Sequence, residues 1–414
     1  MSKRKNTAAV RSPERSASFS AGLSESEEEL EKVGDSEKPK EPVTLEKVAI
    51  RSATAVFMFS LYLFLISCGH LYCIVAVMIV QVQLYKEVVN VRYVATREQS
   101  MPWFRTLQWS WFTVAMVYVY GESLHKFAEE HHSARHLLEY TKNLSYVVYG
   151  MYWTTFVASV LTLRPGMIRF QLGQHMWSIV TVLLVVFQSK FFATNTLNGL
   201  FWFFFPFVTV ISNDVSAYFV GITLGRKIIK APFLALSPNK TWEGFIGACI
   251  CCLLFSFSLP AVLAQFTWLI CPADGLYVWP FPPALQCIPD PVFVLTTVDL
   301  PVFGPTLLYP IQLHGLAFGL FASLVAPFGG FFASAIKRAY RKKDFDSFMP
   351  GHGGMMDRMD CQMLMNSFTA FYYTSFIASR AKTVDLILFK ISQMTADKQL
   401  LLWNELGKQL GQLR

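Results

Sequence analysis

Apolar runs of about 20 residues recur along this chain, long enough for a helix to cross the hydrocarbon of a bilayer. They fall at residues 53–84, 103–121, 143–163, 175–193, from about 197 to the polar pair at 213–214, and at 243–264, 311–335 and 362–380. Ser67, Cys68, Gly69 and His70 break the first run near its middle, so it reads as two spans joined by a tight turn. A surface helix of a soluble domain keeps one polar face; these runs mostly do not. Only 15% of the 414 residues are charged and 53% are hydrophobic, where soluble domains carry roughly 25% charge. Sustained two-residue alternation is missing, which excludes a transmembrane barrel. The expectation is an all-α, polytopic integral membrane protein with about nine transmembrane helices and a polar active site at the cytosolic side.

Charge divides the chain into three parts. Residues 1–46 are rich in Ser, Glu and Lys and nearly free of aromatics, too polar to offset the entropy of ordering, so they read as a disordered cytosolic tail. Residues 47–380 hold the spans. Residues 381–414 set Leu386, Ile387, Ile391 and Leu400 among charges and read as an amphipathic helix. The polar N-terminus shows no cleavable signal peptide. With the tail in the cytosol, the loops at 85–103, 164–172, 213–242 and 336–361 face the cytosol, and each is rich in Lys and Arg. The Pro-rich loop at 265–310 falls on the other side and has neither, as the positive-inside rule requires. The net charge of +8 is therefore membrane topology, with no nucleic-acid partner implied. Nine spans put the C-terminus in the lumen; a re-entrant segment would return it. Of the eight cysteines, Cys249, Cys251 and Cys252 sit inside an apolar run, where such small, soft side chains simply pack. Cys271 and Cys287 lie in the lumenal loop, where a disulfide and two buried thiols stand as equal alternatives.

Three polar patches share the cytosolic face. Asn213 and Asp214 sit inside apolar sequence, and an acid at such depth is costly unless it meets a cavity, an ion or a partner. Ser237–Gly244 supplies Lys240 and Glu243 in a turn set by Pro238 and Asn239. Ser334–Asp360 is a charged island between two spans. In it Lys337 and Arg338 offer positive charge to phosphate. Gly351, Gly353 and Gly354, around His352, let the backbone approach an anion. Asp357 and Asp360, three apart, share a helix face, and carboxylates with substrate phosphates are how Mg²⁺ is usually held. Acids for a cation, cations and amides for phosphate, and a bilayer for lipid point to phosphoryl or nucleotidyl transfer onto a lipid phosphate. Neither a P-loop nor a dinucleotide fingerprint is present. Taken singly, each patch also has a plain structural reading. Arg341 and Lys342 suit a topology determinant, Asp214 an interhelical contact, His352 a turn, and Asp344 and Asp346 a neutraliser of neighbouring lysines. His131–His132 reads as a solvated loop.

At these residues the chain resembles the phosphatidate cytidylyltransferases. The family signature is matched by Ser334, Ile336, Lys337, Arg338, Lys343, Asp344, Pro350, Gly351, His352, Gly353, Gly354, Asp357, Arg358 and Asp360. Upstream motifs follow in order at Asn213–Asp214, Ala217–Tyr218, Gly225–Arg226 and Ser237–Gly244. The resemblance covers about residues 50–414. It implies an endoplasmic-reticulum enzyme that takes CTP and phosphatidic acid to CDP-diacylglycerol and pyrophosphate. Mg²⁺ is implied as cofactor, with a second cation left open, and a homodimer as the assembly. It further implies Asp357 as metal ligand with Asp360 and Asp214 beside it. Ser334, Lys337, Arg338 and Arg358 become catalytic contacts. Asn213, Asp214, Lys240, Glu243, Lys343, Gly351, His352, Gly353 and Gly354 become substrate-binding. Asp346 stands where a small residue is usual, and Gly330 where bacterial relatives tend to carry an acid. The alternatives are a lipid transporter, an inactive scaffolding homologue, and a cytidylyltransferase for another lipid phosphate.

Overall fold

The computed structural model describes residues 45–92, 103–130, 132–231, 233, 240–273, 287, 289–300, 304–342, 344–346, 353–378, 388, 391–392 and 394–412. Its contacts divide the chain into Met1–Ala53 and Thr54–Arg414. Of the first unit only the beginning of a helix is described; the helix packing and the polar patches belong to the second. The expected tail, 1–46, lies almost wholly outside the described residues, as does most of 381–393.

Helices dominate. They are α1 (Leu45–Cys68), α2 (His70–Val91), α3 (Phe104–Glu130), α4 (Leu144–Leu161), α5 (Ile168–Leu197), α6 (Leu200–Thr223), α7 (Trp242–Leu263), α8 (Pro310–Leu324), α9 (Pro327–Ala339), α10 (Met356–Tyr372) and α11 (Ala396–Gln412). Among the described residues, six candidate spans are long and apolar enough to cross a membrane: α2, Arg135–Leu161 containing α4, α5, α6, α7, and the α8–α9 pair Pro310–Ala339. The other three expected spans also fall on helices. Ser52–Cys68 is apolar but shorter. α3 is diluted by Arg105, Gln108, Ser110 and Glu122, and α10 begins in the charged island.

The expected break in the first run is a single residue, Gly69, whose φ of 100° suits glycine. Gly199, at φ 131°, separates α5 from α6 where the backbone oxygen of Ile270 comes close. α5 contains a π turn at Leu183–Phe187, and another, Tyr373–Ile377, continues α10. The described residues are all-α as expected, apart from one short element. A two-stranded antiparallel hairpin, β1 (Thr296–Leu300) with β2 (Gly304–Leu308), occupies part of the Pro-rich loop. Thr296, Thr297 and Val298 are β-branched, which favours a strand over a helix there. In the same loop Cys271 and Cys287 are joined by a disulfide, with Cα atoms 5.8 Å apart.

The core runs through α2, α5, α6, α8 and α10. Tyr85 of α2 stacks on Phe112 of α3, and its hydroxyl donates to the Gln108 carbonyl at 2.6 Å. Trp202 and Phe205 of α6 meet Phe318 of α8, and Trp202 also meets Tyr373. α7 and α8 approach closely because Gly315 and Gly319 face Ser256, where any added Cβ would strike that residue. Buried polar residues tie helices together. Asn195 Nδ2 donates to the Asn366 carbonyl at 3.0 Å, and Gln362 Nε2 to the Phe207 carbonyl at 3.1 Å. The result holds the ends of α6 and α9, and the starts of α7 and α10, around the polar patches.

Candidate active site

α9 ends in Lys337 and Arg338, and α10 opens with Asp357; these two helix ends meet. Lys337 Nζ donates to Asp357 Oδ1 at 2.5 Å, and both side chains are largely buried. The other carboxylate oxygen, Oδ2, accepts from the Phe345 and Gly354 amides at 3.3 and 3.2 Å. Lys337 also lies 5.6 Å from the centre of the Phe345 ring. Asp357 is thus held by a cation on one side and main-chain amides on the other. Gly353 has φ 80°, and a Cβ there would lie 3.3 Å from Asp357 Oδ2 and 3.5 Å from Asp344 Oδ1. The glycine pair is what lets the strand of chain before α10 touch these acids.

The structure adds an acid that the sequence reading overlooked. Glu87 is buried in α2, and its two carboxylate oxygens accept from the first amides of α10: Met355 N to Oε1 and Met356 N to Oε2, both at 2.9 Å. Gln83 Nε2 donates to Oε1 at 3.3 Å. Residues 85–103 read as a basic connector, yet α2 continues through Val91. The signal was there: Leu84, Glu87, Val88 and Val91 recur at the spacing of one helix face, and an acid on an apolar face is a functional candidate.

The other two patches join the island. Asp214, on α6, lies in the fields of Lys240 and Arg358. Asp360 feels Asp214 and Asp357 in turn. Burial, the largest cause, pushes the Asp360 carboxyl up to about 6, and Cys361 N donates to its Oδ1 at 2.7 Å. Gly330 packs against this carboxylate: a Cβ there would lie 3.3 Å from Asp360 Oδ2. Phe233 stacks on Phe245 of α7 and lies 5.9 Å from Phe331 of α9, linking the two patches through apolar contact. Asn213 is buried, with Oδ1 lacking a hydrogen-bond partner among the described residues.

Several expected site residues sit elsewhere in their local chemistry. Glu243 accepts from the Arg226, Ile228 and Ile229 amides at 3.1, 3.0 and 2.7 Å, so it fastens the turn after α6. The Ser334 hydroxyl donates to the Gly330 carbonyl at 2.8 Å, inside its own helix. The Gly354 amide is taken by Asp357. Arg338 and Lys240 are exposed. Lys342 Nζ donates to the Asn90 carbonyl at 3.1 Å, tying the island to α2. Lys343, Pro350, Gly351, His352 and His131 lie outside the described residues. Among the described residues, no three His, Cys, Asp or Glu side chains converge as a metal-binding group.

Chemically, the assembly offers Asp360 in the fields of Asp214 and Asp357, and four cations, Lys240, Lys337, Arg338 and Arg358, at or beside helix ends. Comparison with known proteins agrees with that inventory. A model of the cytidylyltransferase family matches residues 49–376. A probable phosphatidate cytidylyltransferase of Dictyostelium discoideum is 36% identical over 380 residues, covering 88% of this chain and 78% of that protein. Phosphatidate cytidylyltransferase 1 of Arabidopsis thaliana is 37% identical, covering 87% of each chain. Human phosphatidate cytidylyltransferase 1 is 35% identical over 377 residues, covering 87% of this chain and 78% of its own.

Proposed function

The chain belongs to the cytidylyltransferase family, and on that premise we propose how its polar island works as a Mg²⁺-dependent enzyme of the endoplasmic-reticulum membrane. Its reaction joins CTP and phosphatidate, giving CDP-diacylglycerol and pyrophosphate. The observation that carries the residue assignment is the Lys337–Asp357 pair at the junction of α9 and α10.

A phosphatidate oxygen attacks the α-phosphorus of CTP; a new P–O bond forms, the α–β bridging bond breaks, and pyrophosphate leaves with its electron pair. The acceptor is already about −1.5 to −2 charged at neutral pH, so it needs no strong base. What the reaction needs is alignment and relief of charge. Lys337, Arg338, Lys240 and Arg358 are the cations placed to relieve it. Asp357 aligns Lys337 through the hydrogen bond between them, and the Phe345 and Gly354 amides keep Asp357 in place. The Gly354 amide is engaged there, so side-chain cations carry the phosphate contacts at this end of the loop.

The donor chemistry fits Mg²⁺. Asp360 feels both Asp214 and Asp357, and Mg²⁺ usually takes one or two carboxylates plus substrate phosphates rather than a complete protein cage. A side chain at Gly330 would crowd the Asp360 carboxylate, so the glycine keeps that ligand accessible. When bound, the cation would neutralise triphosphate charge. We assign Asp357 and Asp360 as its ligands with Asp214 in support, leaving Lys337 free to move onto phosphate.

The same reading puts nine helices across the membrane, the island and CTP on the cytosolic side, the disulfide-bonded loop in the lumen and two copies in a homodimer. The loop charges support the orientation. Full-length chain in detergent, with CTP and Mg²⁺, should release pyrophosphate with phosphatidate and not with a prenyl phosphate. EDTA should stop the reaction. Equal turnover of the prenyl phosphate would reassign the acceptor, and turnover in EDTA would remove the metal.

A further inference from the structure

We propose that Glu87 is a positioning residue for cytidylyl transfer: from α2 it holds the glycine loop and the start of α10 at the setting that places Asp357. The inference rests on the transferase reading. Glu87 is 1% exposed, yet no described side chain forms an ion pair with it. Its charge is met by two main-chain amides, by Gln83 and by the positive end of α10. A buried carboxylate held in this way is costly unless its geometry is kept. Helix N-termini commonly receive phosphate. Here a carboxylate from α2 takes that place, so the first amides of α10 are closed to substrate and serve as a mount.

The mount is one residue from the acid it serves. Met356 precedes Asp357, and Gly354, whose amide donates to Asp357 Oδ2, touches Glu87 as well. A Cβ on Gly354 would lie 2.6 Å from Glu87 Oε2. Glu87, Gly354 and Asp357 thus form one contiguous assembly built from chain segments 268 residues apart. Lys342 Nζ on the Asn90 carbonyl adds a second tie between α2 and the island, one helical turn away. Glu87 touches no reacting atom; it acts through Asp357 and the loop.

The test uses full-length chain in detergent with Glu87→Gln, Glu87→Ala, Gly354→Ala and the double variant Glu87→Ala/Gly354→Ala. Glu87→Gln keeps shape but replaces one acceptor by an amide group. It should lower kcat about 10- to 100-fold with the KM for phosphatidate unchanged and the thermal midpoint near that of the parent. Hydrogen exchange should quicken in the segment 353–360 and not elsewhere. Gly354→Ala should cost less kcat in the Glu87→Ala background than in the parent, because the shortest of the contacts it offends is gone while those to Asp346 N and the Phe345 Cβ, at 3.0 and 3.1 Å, stay. Parental kcat in Glu87→Gln, a loss matched by loss of folded protein, or strict additivity in the double variant would each overturn the proposal. Should the parent make no CDP-diacylglycerol, the transferase reading fails instead. The exchange pattern and a double-variant cycle in stability then still decide whether Glu87 mounts the loop.

Discussion

Asp357 and Glu243 are both acids at the start of a helix, and both are held by main-chain amides, but among the described residues only Asp357 is paired with a cation. Glu243 accepts from three amides of the turn after α6 and has the geometry of a fixed clasp. Asp357 divides its oxygens between two amides and Lys337. Releasing Glu243 would take the acceptor from three N–H groups at once and loosen the turn they hold. Releasing Lys337 from Asp357 strands nothing when phosphate takes the ammonium and a cation takes the carboxylate. The difference separates an acid that shapes the site from an acid that can exchange partners during turnover, although both lie in motifs of the same family.

That contrast can be broken by substitution. The largest effect is expected for Asp357→Asn, a loss of about 1,000-fold in kcat with the protein still folded by thermal midpoint; near-parental turnover would remove Asp357 from the chemistry. Lys337→Met should follow, with about a 100-fold loss in kcat, measured under saturating CTP and phosphatidate. Glu243→Gln should act on stability, lowering the thermal midpoint, while the folded fraction keeps most of its kcat. A kcat loss as large as that of Asp357→Asn would erase the distinction between clasp and exchanger.

The smallest effect is in pH. Burial raises the Asp360 carboxyl to about 6, so the folded chain favours the protonated form. Its contribution to stability is full below the ordinary carboxylate value of about 4 and is lost as pH rises through about 6. The ionised form is the one that would bind a cation, so turnover should fall as pH drops through the same range. Asp360→Asn should flatten the dependence of thermal midpoint on pH between about 4 and about 6; an unchanged slope would assign it to another group.

The helices were legible because apolar runs of this length leave few alternatives, and the island because charge is so scarce around it. The clustering of Asp214, Lys240 and Arg358 followed from motifs at three chain positions assigned to one face. Glu87 was hidden by two things: the basic residues after it suggested a loop, and its partners are amides, which no sequence motif displays. The Glu243 clasp and the internal bond of Ser334 were hidden for the same reason, since both partners are backbone atoms. The hairpin at 296–308 lay in a stretch whose prolines, including Pro301 and Pro305, argue against a strand; edge pairing of two short segments tolerates Pro305. Cys271 and Cys287 could be paired only once the chain brought them together.

The central claim is attack by a lipid phosphate on the α-phosphorus of CTP at the Asp357 site, and the fate of labelled phosphate tests it most directly. Full-length chain with Mg²⁺ and phosphatidate is given CTP labelled at either the α- or the γ-phosphate, and lipid is extracted. The expected result is α-label in the lipid, γ-label only in pyrophosphate, and neither transfer nor release with Asp357→Asn. Label from the γ-phosphate in lipid, or undiminished α-label with Asp357→Asn, would contradict it.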